Sequence, residues 1–148
     1  MVMNEEVYTG AEQNRAEHVQ MVTLPNQTTQ TIANMVVASA VIWVVISVIQ
    51  IIIGLPLMIF GIGFATLGCG CWNIYACIRN FKHANYVRNC DNPYQGARIV
   101  KSYEDSWGAI LLCLLLNLFL GGGIGVIGAI YDYILRSYVL KHRDKLGG

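Results

Sequence analysis

Charge is what this sequence has least of. Only 13% of its 148 residues are Asp, Glu, Lys or Arg, against about 25% in a typical soluble domain. Neither these residue types nor His occur between His18 and Arg79, or between Asp105 and Asp132. A soluble domain carries charge along its whole length because its surface faces water. The scarcity of charge and its distribution therefore exclude an ordinary soluble domain and a disordered chain.

An excess of positive charge is also missing. The ten Lys and Arg residues nearly balance the nine Asp and Glu residues, and the net charge is +1. This balance argues against a nucleic-acid-binding domain, which normally carries a basic surface. Hydrophobic residues make up 55% of the chain. The composition is typical of an integral membrane protein, so we expect the lipid bilayer as a partner and the cell membrane as the location.

The longest uncharged apolar segment predicts a helical hairpin. As one helix, Ile32–Ile78 would be about 70 Å long, whereas the hydrocarbon core of a bilayer is about 30 Å thick. Gly54–Pro56 offers the best break, because Gly suits a helix end and Pro suits the first turn of the next helix. We therefore predict helices at 32–53 and 56–78, after a flexible polar tail at 1–31.

The second apolar region, Trp107–Tyr131, has two interpretations because of its glycines. If Gly121–Gly123 forms a turn, residues 106–140 form a second and shorter hairpin, and the chain has four membrane helices. If one long helix passes through the glycines, the chain has three transmembrane helices.

The distribution of basic residues favours the first interpretation. Basic residues near helix ends favour the cytoplasmic side of a membrane. Two hairpins place all ten on that side, whereas three spans place the last four outside. We therefore predict an all-α integral membrane protein with two helical hairpins, a basic cytoplasmic loop at 79–105 and a basic C-terminal tail at 141–148. The ten residues are Arg15 in the first tail, Arg79, Lys82, Arg88, Arg98 and Lys101 in the loop, and Arg136, Lys141, Arg143 and Lys145 near the C-terminus.

Three polar residues within the apolar regions are candidate site residues. A carboxylate at membrane depth is costly, so Asp132 should face a partner or water. It could bind an ion or a proton, or it could join helices or subunits. The alternative is a local pair with Arg136, one helical turn away. We expect Asn73 and Asn117 to hydrogen-bond between helices or to line a polar path.

Glycines recur at helical spacing in the apolar regions. Gly61 with Gly68, and Gly63 with Gly70, mark two faces of the second predicted helix. Small residues allow helix backbones to approach closely in lipid. We therefore expect these faces to support association with a second copy or a larger membrane-protein partner. The glycines predicted to pack against helices are Gly61, Gly68, Gly121, Gly125 and Gly128.

No catalytic motif is present in the sequence. It contains no phosphate-binding loop, no HExxH pattern and no recognisable Ser/Cys–His–Asp set. Its five cysteines lack the spacing of metal ligands, so we predict no metal, no cofactor and no enzyme activity. The predicted function is that of a small polytopic membrane protein that packs into an oligomer or with a membrane partner, and the specific form of this prediction is a pore or transport subunit. The alternative is a non-conducting protein that shapes or scaffolds the membrane.

Overall fold

The computed structural model describes residues 24–120 and 123–147, and this part of the chain is helical without any strand. The prediction of an all-α fold is therefore confirmed. Two short 3-10 segments, Met58–Phe60 and Arg143–Leu146, accompany five α-helices. The helices are α1 (Gln27–Leu57), α2 (Gly63–Arg88), α3 (Pro93–Glu104), α4 (Trp107–Phe119) and α5 (Val126–Lys141).

Helix α1 begins earlier and ends later than the sequence predicts. Asn26 caps its start, because its side chain accepts the Thr29 amide N–H while the Thr29 hydroxyl accepts the Asn26 N–H. At the other end the helix continues through Pro56, which lies in its last turn. The missing proline N–H therefore removes one hydrogen bond without stopping the helix.

The first hairpin turns at Gly61 instead of the predicted Gly54–Pro56. Gly61 has a φ of 79°, in the left-handed region that favours glycine. Gly54 stays helical and buried, and a Cβ there would lie 3.0 Å from Leu67 Cγ. Gly54 therefore brings α1 and α2 together, and Gly61 serves the turn in place of the helix-packing role predicted for it.

The middle region 79–105 is mostly helical. Helix α2 continues ten residues beyond the predicted end at Ile78, and α3 follows after a short connection. Asn92 caps α3 by accepting the Gln95 N–H at 2.9 Å, and Pro93 occupies the first helical position.

The second apolar region contains two helices, so the alternative of one continuous helix is wrong. Gly123 has a φ of 78° and its N–H donates to the Asn117 carbonyl oxygen at 3.0 Å. This bond reverses the chain just after α4. Helix α4 has 13 residues, which makes it about 20 Å long and shorter than a bilayer core.

The chain ends and the middle region meet at one end of the bundle, which we call the basal end. The start of α1, the ends of α2 and α5, α3 and the last 3-10 segment share a hydrophobic core there. The Asn26 amide also donates to the Lys145 carbonyl oxygen at 2.8 Å. Both hairpin turns lie at the opposite end, the tip, where the Thr66 hydroxyl donates to the Leu120 carbonyl oxygen at 3.2 Å. The core residues at the basal end include Ile32, Val36, Val87, Ile99, Leu135, Val139 and Leu146.

One helical segment in the described part of the chain is long and apolar enough to span a membrane. It covers Gln27–Phe60, and the most apolar 18-residue window in it has a mean hydropathy of 2.8. Only 39% of that window is buried inside the protein. Trp107–Phe119 is apolar but shorter. The structure therefore supports one membrane-competent helix.

Glycines on α2 face two directions. Gly63 and Gly70 contact α1, and a Cβ at Gly70 would lie 3.1 Å from Ile51 Cγ1. Gly68 lies on the other side, where an added Cβ would meet nothing within 4 Å. The α2 face that carries Gly68, which we predicted to pack against another helix, is therefore open. The opposite face, which carries Gly63 and Gly70, packs against α1 and holds the first hairpin together. Gly121 lies outside the described residues.

Gly128 allows α5 to lie close to α1. A Cβ at this position would be 2.7 Å from Trp43 Cε2, a distance that real Cβ contacts do not reach. We predict that Gly128→Ala lowers the free energy of unfolding by about 1–3 kcal/mol through overpacking. Thermal unfolding followed by circular dichroism in detergent measures this change.

The matched control is Gly68→Ala, which adds the same methyl group where there is space. Because alanine favours a helix over glycine, we expect unchanged or higher stability, by up to about 1 kcal/mol. Equal destabilisation by both substitutions would contradict the close contact between Gly128 and Trp43.

Candidate functional site

Asp132 joins α5 to α1 through two hydrogen bonds. Its Oδ1 accepts from the Ser39 hydroxyl at 2.5 Å, and its Oδ2 accepts from the Trp43 indole N–H at 2.9 Å. Ser39 and Trp43 are almost fully buried and lie one helical turn apart, so both reach the same carboxylate. The sequence identified Asp132 but missed both donors.

Asp132 has no cationic partner within residues 24–120 and 123–147. The Arg136 Nε donates to the Tyr103 carbonyl oxygen at 2.9 Å, and the guanidinium lies 5.6 Å from the centre of the Trp107 ring. Among the described residues, the one ion pair joins Arg143 to Asp144, and no Lys, Arg or His nitrogen lies within 4 Å of the Asp132 carboxylate. The local Asp132–Arg136 pair considered from the sequence is therefore wrong, because the α3–α4 corner holds the arginine.

Three buried amide side chains, which we call the amide cluster, join α1, α2 and α4. Gln50 donates to Asn117 Oδ1 at 2.9 Å, and Asn73 donates to Gln50 Oε1 at 3.0 Å. Asn73 also lies 3.3 Å from Asn117 Oδ1. None of the three is more than 2% exposed. The structure thus brings together the predicted residues Asn73 and Asn117 and adds Gln50, which the sequence analysis missed.

Gly125 makes room for this cluster at the start of α5. A Cβ built on Gly125 would overlap the Asn117 side chain. The Asn117 amide donates to the Cys113 carbonyl oxygen at 2.9 Å, so its orientation is fixed by its own helix. The predicted packing role of Gly125 is therefore a contact inside the chain, between α5 and α4.

A cleft of about 550 Å³ separates α2 from α4. Helix α4 packs mainly against α5 and stands away from α2 except near the amide cluster. The walls of the cleft are mostly apolar, and its floor carries Ser39, Trp43 and Asp132. The wall residues include Gly68, Trp72 and Ala76 on α2, and Ala109, Leu112 and Leu116 on α4.

The two ends of the cleft differ in polarity. Asn73 and Asn117 line it toward the tip, whereas Arg79, His83 and Tyr103 line it toward the basal end. Burial, followed by the nearby charge of Arg79, lowers the pKa of His83 below its usual value of 6.5. His83 is therefore neutral at pH 7, and Arg79 carries the positive charge at this end.

Tyr103 remains a protonated phenol beside the cleft. Burial, and to a smaller extent the charge of Asp132, raise its pKa above the ordinary value. Its ring lies 5.7 Å from the His83 ring, centre to centre. The two rings close the basal end of the cleft with neutral aromatic surface.

No metal site is visible in residues 24–120 and 123–147, where no group of three His, Cys, Asp or Glu side chains is placed to hold an ion. The five cysteines are free. Comparison with protein-family models, with curated proteins and with solved structures finds no match to this chain. The cleft, Asp132 and the amide cluster are the candidate functional features of the described residues.

We predict that Asn117→Ala destabilises the protein by about 1–3 kcal/mol. The substitution removes the acceptor shared by Gln50 and Asn73 and leaves these buried groups with fewer hydrogen bonds. The thermal unfolding transition in detergent measures the loss.

The matched control is Asn85→Ala on the exposed surface of α2. We expect it to change stability by less than about 0.5 kcal/mol. If Asn117→Ala has as little effect as this control, the amide cluster does not hold the three helices together.

Proposed function

We propose that this chain is a multi-pass membrane protein that serves as the solute-binding subunit of a transport system. In this proposal the cleft between α2 and α4 holds the solute and Asp132 contacts it. One observation carries the proposal. A carboxylate without a cationic partner in the described part of the chain lines a cleft of about 550 Å³ in a bundle whose outer surface is largely apolar.

The inverted polarity of the bundle supports embedding in lipid. Phe119, Ile127 and Ile52 are 76%, 66% and 64% exposed, whereas Gln50 and Asn117 are buried. An extended apolar surface of this kind marks contact with a membrane or a partner. In lipid, the polar groups of a helical bundle must find partners inside it.

The distribution of charge supports a single orientation for both hairpins. The basic residues of the middle region and of the C-terminus belong to the basal end. The turn of the first hairpin at the tip, Ile59–Ile62, is exposed and apolar. We therefore propose that the basal end lies on the cytoplasmic side of the cell membrane. From Arg79 to Gly63, α2 covers about 24 Å, close to the depth of the bilayer core.

The chemistry of Asp132 supports a role beyond joining helices. An asparagine or serine could join α1 to α5 without the cost of a carboxylate at membrane depth. A carboxylate also offers about four acceptor positions, and the described hydrogen bonds use two of them. The remaining positions are available to a solute in the cleft.

The short second hairpin supports a role as a subunit. Helix α4 is too short to cross the bilayer core alone, and its apolar side chains Leu115, Leu118 and Phe119 are exposed. A second copy, or a larger membrane protein, would complete these surfaces. We propose assembly of this kind as part of the function.

Replacement of Asp132 tests the transport function. In liposomes containing the purified protein, we expect entry of tetramethylammonium but not of chloride. Asp132→Asn should reduce cation entry at least tenfold while the oligomer on a native gel stays intact. Ion-selective electrodes outside the liposomes measure each ion.

Asp105→Asn is the matched control, because it replaces an exposed carboxylate at the α3–α4 junction. It should leave cation entry unchanged. Absence of cation entry with the parent protein, or equal entry with Asp132→Asn, would exclude the transport function.

The taper of the bundle favours membrane shaping as a second candidate function. The basal end combines parts of α1, α2, α3 and α5 with the last 3-10 segment, whereas the first hairpin alone forms the Ile59–Phe64 turn region at the tip. A body that is wider at one membrane face than at the other expands that leaflet and bends the bilayer.

This second function predicts smaller vesicles on reconstitution. Vesicle diameters measured by electron cryomicroscopy should fall as the protein-to-lipid ratio rises, equally for the parent protein and for Asp132→Asn. A diameter that does not depend on the protein-to-lipid ratio would exclude membrane shaping.

A further inference from the structure

The aromatic side chains around Asp132 indicate which kind of solute the cleft accepts. Trp43, Trp72 and Tyr103 line the same cleft as the carboxylate. We propose that the ligand is a small organic cation with an apolar body, an amine or a quaternary ammonium ion. This inference depends on the proposed function, because it names the solute class of the same cleft.

The size and lining of the cleft fit such a ligand. Its volume of about 550 Å³ lies within the range of about 300–1,000 Å³ that is common for pockets holding small organic molecules. The apolar part of the lining includes alanine, leucine, valine and isoleucine side chains. These walls suit an apolar body and offer few hydrogen bonds to a strongly hydrated ion.

The carboxylate supplies the complementary charge. Ser39 and Trp43 hold both oxygens of Asp132 in place, and both donors are neutral. A cationic head beside Asp132 would therefore be its first ionic partner in the described structure. Aromatic faces attract a cation within about 6 Å of the ring, which favours an ammonium group here.

An inorganic cation fits this site less well. Calcium takes six to eight oxygen ligands and magnesium takes six, often from carboxylates, but Asp132 is the one carboxylate among the described residues that line the cleft. The side-chain oxygens of Gln50 and Asn117 already accept hydrogen bonds within the amide cluster. A single carboxylate suits one positive charge without a coordination shell.

The two ends of the cleft set the orientation of the ligand. Toward the basal end, His83 and Tyr103 close the cleft beside Asp132. Toward the tip, Ala76, Leu112 and Leu116 provide apolar walls as far as the amide cluster. The head therefore lies at Asp132, and the apolar body extends toward the tip.

Binding to the protein in nanodiscs of zwitterionic lipid tests the inference. The probes are hexyltrimethylammonium and hexyl sulfate, which share the alkyl chain and differ in the sign of the head group. Isothermal titration calorimetry, corrected with empty nanodiscs, measures both affinities. We expect hexyltrimethylammonium to bind the parent protein and hexyl sulfate to show no binding above the blank.

Substitutions identify the contacts. Asp132→Asn should weaken binding of the cation about ten- to hundredfold, the effect of one charged hydrogen bond or ion pair in a desolvated site. Trp72→Ala should weaken it about two- to fivefold by removing one aromatic face. Since Trp72 is 66% exposed, this variant keeps the test decisive if Asp132→Asn fails to fold.

Three results would overturn the inference. The first is failure of the cation to bind the parent protein. The second is unchanged binding to both Asp132→Asn and Trp72→Ala. The third is binding of hexyl sulfate that Arg79→Gln abolishes, which would make the cleft an anion site. Because the assay measures binding alone, a transport-inactive protein that binds the cation would refute the transport function and leave the ligand class standing.

Discussion

A stripe of polar side chains on α1 holds the other helices in place. Ser39, Trp43, Ser47 and Gln50 follow one another at steps of four, four and three residues, so they share one face of the longest helix. All four are buried. Ser39 and Trp43 hold α5 through Asp132, and Gln50 holds α2 and α4 through the amide cluster. Without these hydrogen bonds, α5 would keep the basal hydrophobic core and the Gly128–Trp43 contact, and α4 would keep its contacts at the Arg136 corner.

The positions of the polar contacts explain why a cleft lies between α2 and α4. Helix α4 meets α1 and α2 through Asn117, near its C-terminal end, and its N-terminal end is held at the corner where Arg136 contacts Tyr103 and Trp107. Between these two attachments α4 and α2 remain apart. The contact that secures α5 also presents a carboxylate to this gap. The same few side chains therefore account for the stability of the bundle and for its proposed binding site.

Sequence reasoning predicted the features that depend on local composition. The uncharged segments marked the apolar helices, and Asp132, Asn117 and Asn73 stood out because polar residues are rare in them. The turn positions were harder to predict. Pro56 suggested a break, but its place in the last helical turn makes it tolerable, whereas the φ of 79° at Gly61 becomes visible only in three dimensions.

The hydrogen-bond partners were missed for a different reason. Ser39, Trp43 and Gln50 are ordinary residues one by one, and their significance depends on which helix they face. The spacing of the α1 stripe was available in the sequence and would have identified its buried face. The sequence could not show that Arg136 turns away from Asp132, because that depends on the path of α3 and α4.

The central proposal is that the bundle is embedded in a membrane and that its middle region and C-terminus lie together on the cytoplasmic side. The most direct test of this arrangement uses a reporter that is active on only one side of the membrane. The reporter is fused after Gly148 in one variant and inserted after Asp91, in the α2–α3 connection, in another. The proposed arrangement predicts that both fusions report the cytoplasm. Opposite readings from the two positions, or an external reading from both, would contradict it.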